Sequence, residues 1–279
     1  MNQLKGLYKI SRPMSTLSGG LAVIMGGYVA GTGQWLNILL ATLATLAISS
    51  AANAWNDYRD IEIDKINQPQ RPLPSGAITP KAALIFSVVM TLVSVLLAAL
   101  INLPAFLIAV SSAVLLYIYS WRLKSTILLG NVVVAFISGL SAVFGGVAAG
   151  NVGPSLWLAA IIFTAIMGRE VLKTMADYEG DLRQQIRTIS TAWGRRPARI
   201  LFFVLVWATL GMMMLPYLFR VYSPVYAYIV VFGVYPVILY ILVKVNRHRT
   251  GAQLERLSQL MKYDFMVWFV AVLLGAQAW

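Results

Sequence analysis

Residues 34–64 read QWLNILLATLATLAISSAANAWNDYRDIEID. Residues 34–56 carry no charge, and about 20 mostly apolar residues suffice to cross a bilayer as a helix. The stretch then turns acidic within eight residues, at Asp57, Asp60, Glu62 and Asp64. A membrane helix ending in a run of carboxylates is the unit from which the rest of the chain can be read.

The composition of the 279 residues agrees: 59% are apolar and 11% charged, against about 25% charged in soluble domains. With a mean hydropathy of +0.75, a soluble enzyme and a disordered chain are both excluded. Nine segments qualify as spans: 13–31, 34–57, 80–101, 103–119, 128–149, 154–175, 198–216, 222–244 and 260–278. The expectation is an all-α membrane protein, a bundle of about nine transmembrane helices with cytoplasmic capping loops, forming one domain over 1–279. The first span follows Lys5, Lys9 and Arg12 without a small-residue cleavage site and reads as a retained helix. Absence of cysteine excludes disulfides and thiolate-bound metals. The single histidine, His248, lies between Arg247 and Arg249 and reads as a solvated loop residue.

Loop charge orients the bundle. With a cytoplasmic N-terminus, the cytoplasmic connections are 58–79, 120–127, 176–197 and 245–259. They and their flanks hold 21 of the 22 basic residues, Arg220 being the exception. The net charge of +12 is therefore read as positive-inside bias, not as a nucleic-acid surface. The expectation is an integral, multi-pass cell-membrane protein with the N-terminus and the functional site cytoplasmic and the C-terminus opposite. All ten acids fall on that same side in this reading. The positive-inside rule does not account for acids, so their clustering has a separate cause.

At 100° per residue, Asn53, Asn56, Asp57, Asp60 and Asp64 fall within an arc of about 100°, with Glu62 opposite. A second cluster, Glu170, Lys173, Asp177 and Asp181, shares an arc of about 80°, with Glu179 pointing away. Gathered carboxylates repel one another and need a compensating cation. Oxygen ligands suit Mg²⁺, with Mn²⁺ as its substitute, and such ions keep waters and bridge to phosphates. Arg71, Lys124, Lys173, Arg183 and Arg187 lie on the same side. Metal and basic residues at a membrane surface match a diphosphate with an apolar tail, whose departure from an allylic carbon they assist. Tyr58, Tyr117, Tyr119, Trp121 and Tyr178 are candidates to steady an allyl cation; membrane interfaces also enrich aromatics. The acid–loop arrangement after the second span recurs after the sixth, an internal echo that transporters also show.

These residues resemble the UbiA-type intramembrane prenyltransferase superfamily. Asn56-Asp57, Asp60 and Asp64 match its NDxxDxxxD motif, and Asp177 and Asp181 its DxxxD motif. The segment Ile66-Asn67-Gln68-Pro69-Gln70-Arg71-Pro72-Leu73-Pro74-Ser75-Gly76 is similar to the loop of digeranylgeranylglyceryl phosphate and chlorophyll synthases. Tyr119-Ser120, Leu123-Lys124 and Gly130-Asn131 resemble the family's segment between the fourth and fifth helices. Arg169-Glu170-Val171, Lys173, Glu179-Gly180-Asp181 and Arg187-Thr188 look most like the archaeal-lipid synthases. Thr174 and Ala176 depart from that branch, which carries acids there. Arg12-Pro13 matches the family's opening Arg-Pro, whereas Met14-Ser15 does not.

The resemblance implies Mg²⁺-dependent transfer of a prenyl group, geranylgeranyl in this branch, from its diphosphate to the hydroxyl of a prenylglyceryl phosphate lipid. It assigns Asp57, Asp60, Asp64, Asp177 and Asp181 to catalysis. Asn56, Asp60, Asp64, Asp177 and Asp181 would hold metal, and Asn53, Asn56, Arg71, Lys124, Lys173 and Arg187 would bind diphosphate or substrate. Each basic residue could equally be a positive-inside anchor. The expected partners are a prenyl diphosphate, a lipid-like acceptor and membrane lipids, with no nucleic acid. The alternatives are an aromatic or chlorophyllide acceptor, a secondary transporter using the acids as an ion relay, and a non-catalytic polyprenyl-lipid binder.

Overall fold

A computed structural model of the chain describes residues 3–183, 185–246 and 250–276; His248, Arg247 and Arg249 lie outside them. The only β pairing among the described residues is an isolated bridge between Tyr222 and Ala276. Among the described residues eight helices are long and apolar enough to cross a membrane, which makes this an all-helical, integral multi-pass protein. They are Trp35–Arg59, Pro80–Ala99, Leu103–Trp121, Leu129–Ala149, Gly153–Ala176, Arg195–Leu218, Pro224–Val245 and Gly251–Gly275. The chain packs as two compact units.

The first unit comprises residues 1–123 and 141–152. It holds α1 (Gln3–Ile10), α2 (Pro13–Ala30), α3 (Trp35–Arg59), α4 (Ile61–Asn67), α5 (Pro80–Ala99), α6 (Leu103–Trp121) and the later part of α7 (Leu129–Ala149). Helix α3 lies at its centre, packed by α2, α5 and α6. Its inward face is small, with Ala41, Ala44, Ala51 and Ala54 fully buried. In lipid such residues drive packing by letting backbones approach. The contact of α2 with α7 goes further: a Cβ on Gly26 would overlap the Ala142 backbone, and one on Gly145 the Val23 backbone. The segment expected as the ninth span is α2. It is helical, but Gly19, Gly20, Gly26 and Gly27 with Ser15, Thr16 and Ser18 keep it from the sustained apolar run that the eight share. Close packing explains the glycines at 26 and 27, where a Cβ would strike Ala142 and Ile38.

The second unit comprises residues 124–140 and 153–279. It holds the start of α7, then α8 (Gly153–Ala176), α9 (Tyr178–Arg183), α10 (Ile189–Ala192), α11 (Arg195–Leu218), α12 (Pro224–Ile229), α13 (Tyr235–Val245) and α14 (Gly251–Gly275). Helix α8 packs on α11 and α14, and α14 also on α12 and α13. Buried Trp268 donates from Nε1 to the Tyr226 hydroxyl at 3.1 Å, which donates to the Met213 carbonyl at 2.7 Å. Every polar group in that chain is thereby satisfied. Between α12 and α13 the helix widens into a π turn, Val230–Val234, where the Tyr235 N–H bonds the Val230 carbonyl. Pro236, next in sequence, brings no N–H of its own for the Phe232 carbonyl, and single π turns absorb such interruptions.

The last helix corrects the expected span 260–278. A capping box of Thr250 and Gln253 starts it at Gly251, so most of the expected 245–259 connection is helical. Asp264 accordingly lies near the middle of α14, 4% exposed, not at the helix boundary expected for it. Its Oδ1 has no hydrogen-bond partner among the described residues.

Candidate active site

The first acidic motif sits where α3 gives way to α4. The helix does not run on unbroken, as the arc calculation assumed. Asp60 caps α3 at φ −99°, ψ 10° and bends the chain, while its N–H still bonds the Asn56 carbonyl and its carbonyl accepts from the Asp64 N–H. The expected sidedness survives the bend. Asp57 and Asp64 are buried, Asn53, Asn56 and Asp60 partly so, and Glu62 is exposed and paired with Lys65 at 2.8 Å.

The two buried carboxylates are compensated by arginines. Arg71 Nη1 stands 2.7 Å from Asp64 Oδ2 and 3.5 Å from Asp57 Oδ1, and the Arg12 guanidinium also pairs with Asp57 Oδ1. Arg71, expected on phosphate, is thus a partner of the acids in this state. Buried carboxylates require such pairing. Asn53, expected to be a substrate ligand, uses its amide Nδ2 on the Ser11 carbonyl at 3.0 Å, tying α3 to the turn before α2. Asn56 is half-buried one helical turn on.

Arg12 is the residue that sequence reasoning left without a role. It adopts φ 49°, ψ 63°, a left-handed conformation unusual for a side chain with Cβ. That geometry turns the chain from α1 into α2, whose first residue is Pro13, where a missing N–H costs nothing. The Arg12 carbonyl accepts from the Ser15 and Thr16 N–H groups while its side chain reaches Asp57. Its position before Pro13 was the available signal.

The proline-rich loop after α4 is anchored. Leu73 and Ile78 are buried in one cluster with Ile10, Ala54 and Ala83, which carries Arg71 to the acids. Beside the motif, Trp55 stacks on Tyr58 at 5.7 Å and meets Tyr117 at 5.1 Å. Tyr117 is held by Ser87 and Thr91, both at 2.8 Å from its hydroxyl. Of the five aromatic candidates the fold thus groups Tyr58 and Tyr117 and adds Trp55. Trp121 is 63% exposed, and Tyr178 lies under Arg195, 4.2 Å from its guanidinium carbon.

The second motif repeats this construction in the second unit: α8 ends at Ala176, Asp177 forms the bend, and α9 begins at Tyr178. The Asp177 N–H bonds the Lys173 carbonyl and the Asp181 N–H the Asp177 carbonyl, both at 2.9 Å. Although part of Asp177 is open to solvent, the protein around its carboxyl raises its pKa; Lys173 opposes this, and Glu255 and Glu170 add to it. Asp181 is raised by burial and by Asp177, against a hydrogen bond from Thr188. Lys173 lies 3.2 Å from both Glu170 oxygens, so it too is paired with an acid. Glu255, from the second turn of α14, is an acid near Asp177 that sequence spacing did not reveal. Arg187 is exposed, and Lys124 lies half-buried in a 3₁₀ turn, Leu123–Ser125.

Among the described residues no group of three or more Asp, Glu or His side chains is placed to hold a metal ion alone. Mg²⁺ does not ask for such a cage, since it keeps waters and binds through one or two carboxylates plus substrate phosphate. The Asp177–Asp181 pair, crowded and mutually repelling, offers that hard-oxygen donor set, as do Asp60 and Asp64. The residues fit the ion.

A membrane bundle carrying paired aspartate motifs at helix bends has the architecture of an intramembrane prenyl-transferring enzyme. The chain belongs to the UbiA prenyltransferase family, whose model matches residues 17–273. It is 33% identical over 270 residues to digeranylgeranylglyceryl phosphate synthase of Methanothermobacter thermautotrophicus, covering 96% of this chain and 95% of that one. A solved structure concerned with digeranylgeranylglyceryl phosphate synthase in membranes matches with a TM-score of 0.84 at 27% identity, over 99% of each chain. A UbiA homologue from Archaeoglobus fulgidus, bound to GPP and Mg²⁺, has a TM-score of 0.70 at 18% identity, over 94% of this chain and 99% of that one; at that identity the likeness is one of fold.

Proposed function

We propose that this protein transfers a geranylgeranyl group from its diphosphate to the hydroxyl of geranylgeranylglyceryl phosphate. The new C–O bond is an ether, the C–O bond to diphosphate breaks, and the hydroxyl proton leaves with the diphosphate or to solvent. The observation that carries the acceptor is the similarity, over 96% of the chain, to a digeranylgeranylglyceryl phosphate synthase. The paired motifs support the chemistry.

In this reading Asn56, Asp60, Asp64, Asp177 and Asp181 hold Mg²⁺, which when bound supplies positive charge to the departing diphosphate. Asn53 and Asp57 brace the first motif, and Arg12 pairs with Asp57 and directs it. Arg71, Lys124, Lys173 and Arg187 bind phosphate charge; Arg71 and Lys173 turn from their acids as substrate arrives. Trp55, Tyr58 and Tyr117 line the path of the allylic carbon with electron-rich faces. We assign these roles to one transmembrane domain over 1–279, with the N-terminus and both motifs cytoplasmic, in a cell membrane; loop charge supports that orientation.

The test is product formation in membranes carrying the protein. Labelled geranylgeranyl diphosphate is supplied with geranylgeranylglyceryl phosphate, homogentisate, 4-hydroxybenzoate or chlorophyllide, with Mg²⁺, Mn²⁺ or EDTA. The expected result is a metal-dependent lipid ether, absent with Asp60→Asn. Transfer to a ring or to chlorophyllide would replace the acceptor, and no diphosphate release from folded protein would overturn the reading.

A further inference from the structure

Helix α1 is not a span. It stands at the end of the first unit where α3 carries the first motif, and the Asn53 amide reaches the Ser11 carbonyl just beyond it at 3.0 Å. Its eight residues, Gln3–Ile10, divide into three arcs. Gly6 and Ile10, about 40° apart, are buried. Ile10 belongs to the cluster of Leu73 and Ile78, and a Cβ on Gly6 would strike Ile78, so this face is held against the proline-rich loop. Leu4 and Tyr8, again about 40° apart, point away from the protein, 72% and 67% exposed. Lys5 and Lys9 follow them around the helix by about 100° and are exposed as well.

An exposed leucine and tyrosine alone would be an ordinary surface. Place and charge narrow what covers them. Through the Arg12 turn α1 leads directly into α2, which packs on the membrane-spanning α3 and α7, so α1 lies at the level where the bundle leaves the bilayer. Lys5, Lys9 and Arg12 are the only charges in the first 56 residues. Arg12 is engaged by Asp57, whereas neither lysine has a hydrogen bond or ion pair among the described residues. Apolar side chains on one arc and lysines on the next are the order of a helix lying in a membrane interface, where lysine stems keep their ammonium groups in the headgroup layer. Ammonium groups are donors only, so they select anionic headgroups. A soluble acid would satisfy the lysines and leave Leu4 and Tyr8 in water.

We infer that α1 is an interfacial helix that lays Leu4 and Tyr8 into the bilayer surface and binds anionic lipid headgroups through Lys5 and Lys9. This surface does not depend on the acceptor proposed above.

The chain has no cysteine, so Leu4→Cys gives a single labelling site on the exposed face, and an apolar nitroxide there takes the place of the leucine. Full-length protein is placed, one copy per disc, in nanodiscs of phosphatidylcholine alone or with an equal part of phosphatidylglycerol. Electron paramagnetic resonance compares collisions of the label with oxygen, which enriches in lipid, and with a water-soluble nickel chelate. The expected result is a label shielded from nickel in the anionic discs. Lys5→Gln and Lys9→Gln should each lower the ratio of lipid-seated to water-exposed label there by about five-fold, and together by about twenty-fold, since a lysine near an anionic surface is worth that factor. In phosphatidylcholine alone the lysines should make no difference, and Arg196→Gln should make none in either lipid. The single variants carry the comparison if the double variant does not fold. A label open to nickel in anionic discs with both lysines present, shielding that is equal in both lipids with and without them, or an equal effect of Arg196→Gln overturns the inference. So does shielding that appears only with two copies per disc, which would assign the face to a second copy of the chain.

Discussion

Arg12 joins two unfavourable features, a left-handed backbone and a half-desolvated guanidinium, to one buried acid. Replacing it separates their energies. Removing one partner of a buried ion pair costs about 3–5 kcal/mol. Here the Arg12 side chain is 36% exposed and Asp57 only 3%, and Arg71 remains 3.5 Å away, so about 2 kcal/mol is expected once solvent screening is allowed for. Arg12→Ala bears that loss and retains the backbone strain. Arg12→Gly bears the same loss but relieves about 1 kcal/mol of strain, since φ 49° is open to glycine. Arg12→Gly should therefore be the more stable variant by about 1 kcal/mol, opposite to the order in an ordinary helix. The assay is reversible unfolding in mixed micelles by SDS titration, with a double-mutant cycle against Asp57→Asn giving a coupling of about 1–2 kcal/mol. Glycine no better than alanine would refute the backbone argument, and a coupling below about 0.5 kcal/mol would refute the ion-pair argument.

Three further outcomes follow from the packing and the motifs. Gly145→Val should prevent folding or lower the apparent melting temperature sharply, because its Cβ would enter the Val23 backbone, which cannot retreat as a side chain can; Gly180→Ala, with open space around it, should leave melting nearly unchanged. Asp264→Leu should stabilise the protein by about 1–3 kcal/mol, the penalty of a buried polar atom without a partner, measured by the same unfolding titration. In transfer assays Asp64→Asn should lower kcat/KM by about a hundredfold or more, whereas Glu62→Gln, exposed and paired only with Lys65, should stay within about twofold; equal losses would mean that the bend at Asp60 does not separate the two acids.

The sequence was most legible where one strong physical pressure acts on a long segment. Continuous apolarity located the spans, and the spacing of Asp57, Asp60 and Asp64 put them on the side opposite Glu62 even though the helix bends between them. Boundaries failed where polar residues are helical: Thr250 caps a helix whose first turns carry Glu255 and Arg256, and the apolar pattern starts only later. The expected span 222–244 likewise hid its π turn at Val230–Val234, because a proline in an apolar run does not declare how the chain will widen around it.

By itself, then, the sequence determined the class of solvent, the helical architecture and the identities of the motif acids, because each depends on residue type and on a fixed helical period. Only the tertiary structure decided which charges meet. Arg12 and Asp57 are 45 residues apart, and their pairing rests on a left-handed turn before Pro13; Arg71 faces Asp64 through the turns that follow α4. Glu255 reaches Asp177, and Lys244 and Arg256 come to line one groove, only because α14 runs antiparallel to α8 and α13. Such pairings depend on helix register, which glycine contacts at Gly233, Gly251 and Gly275 set by steric fit and no spacing along the chain encodes.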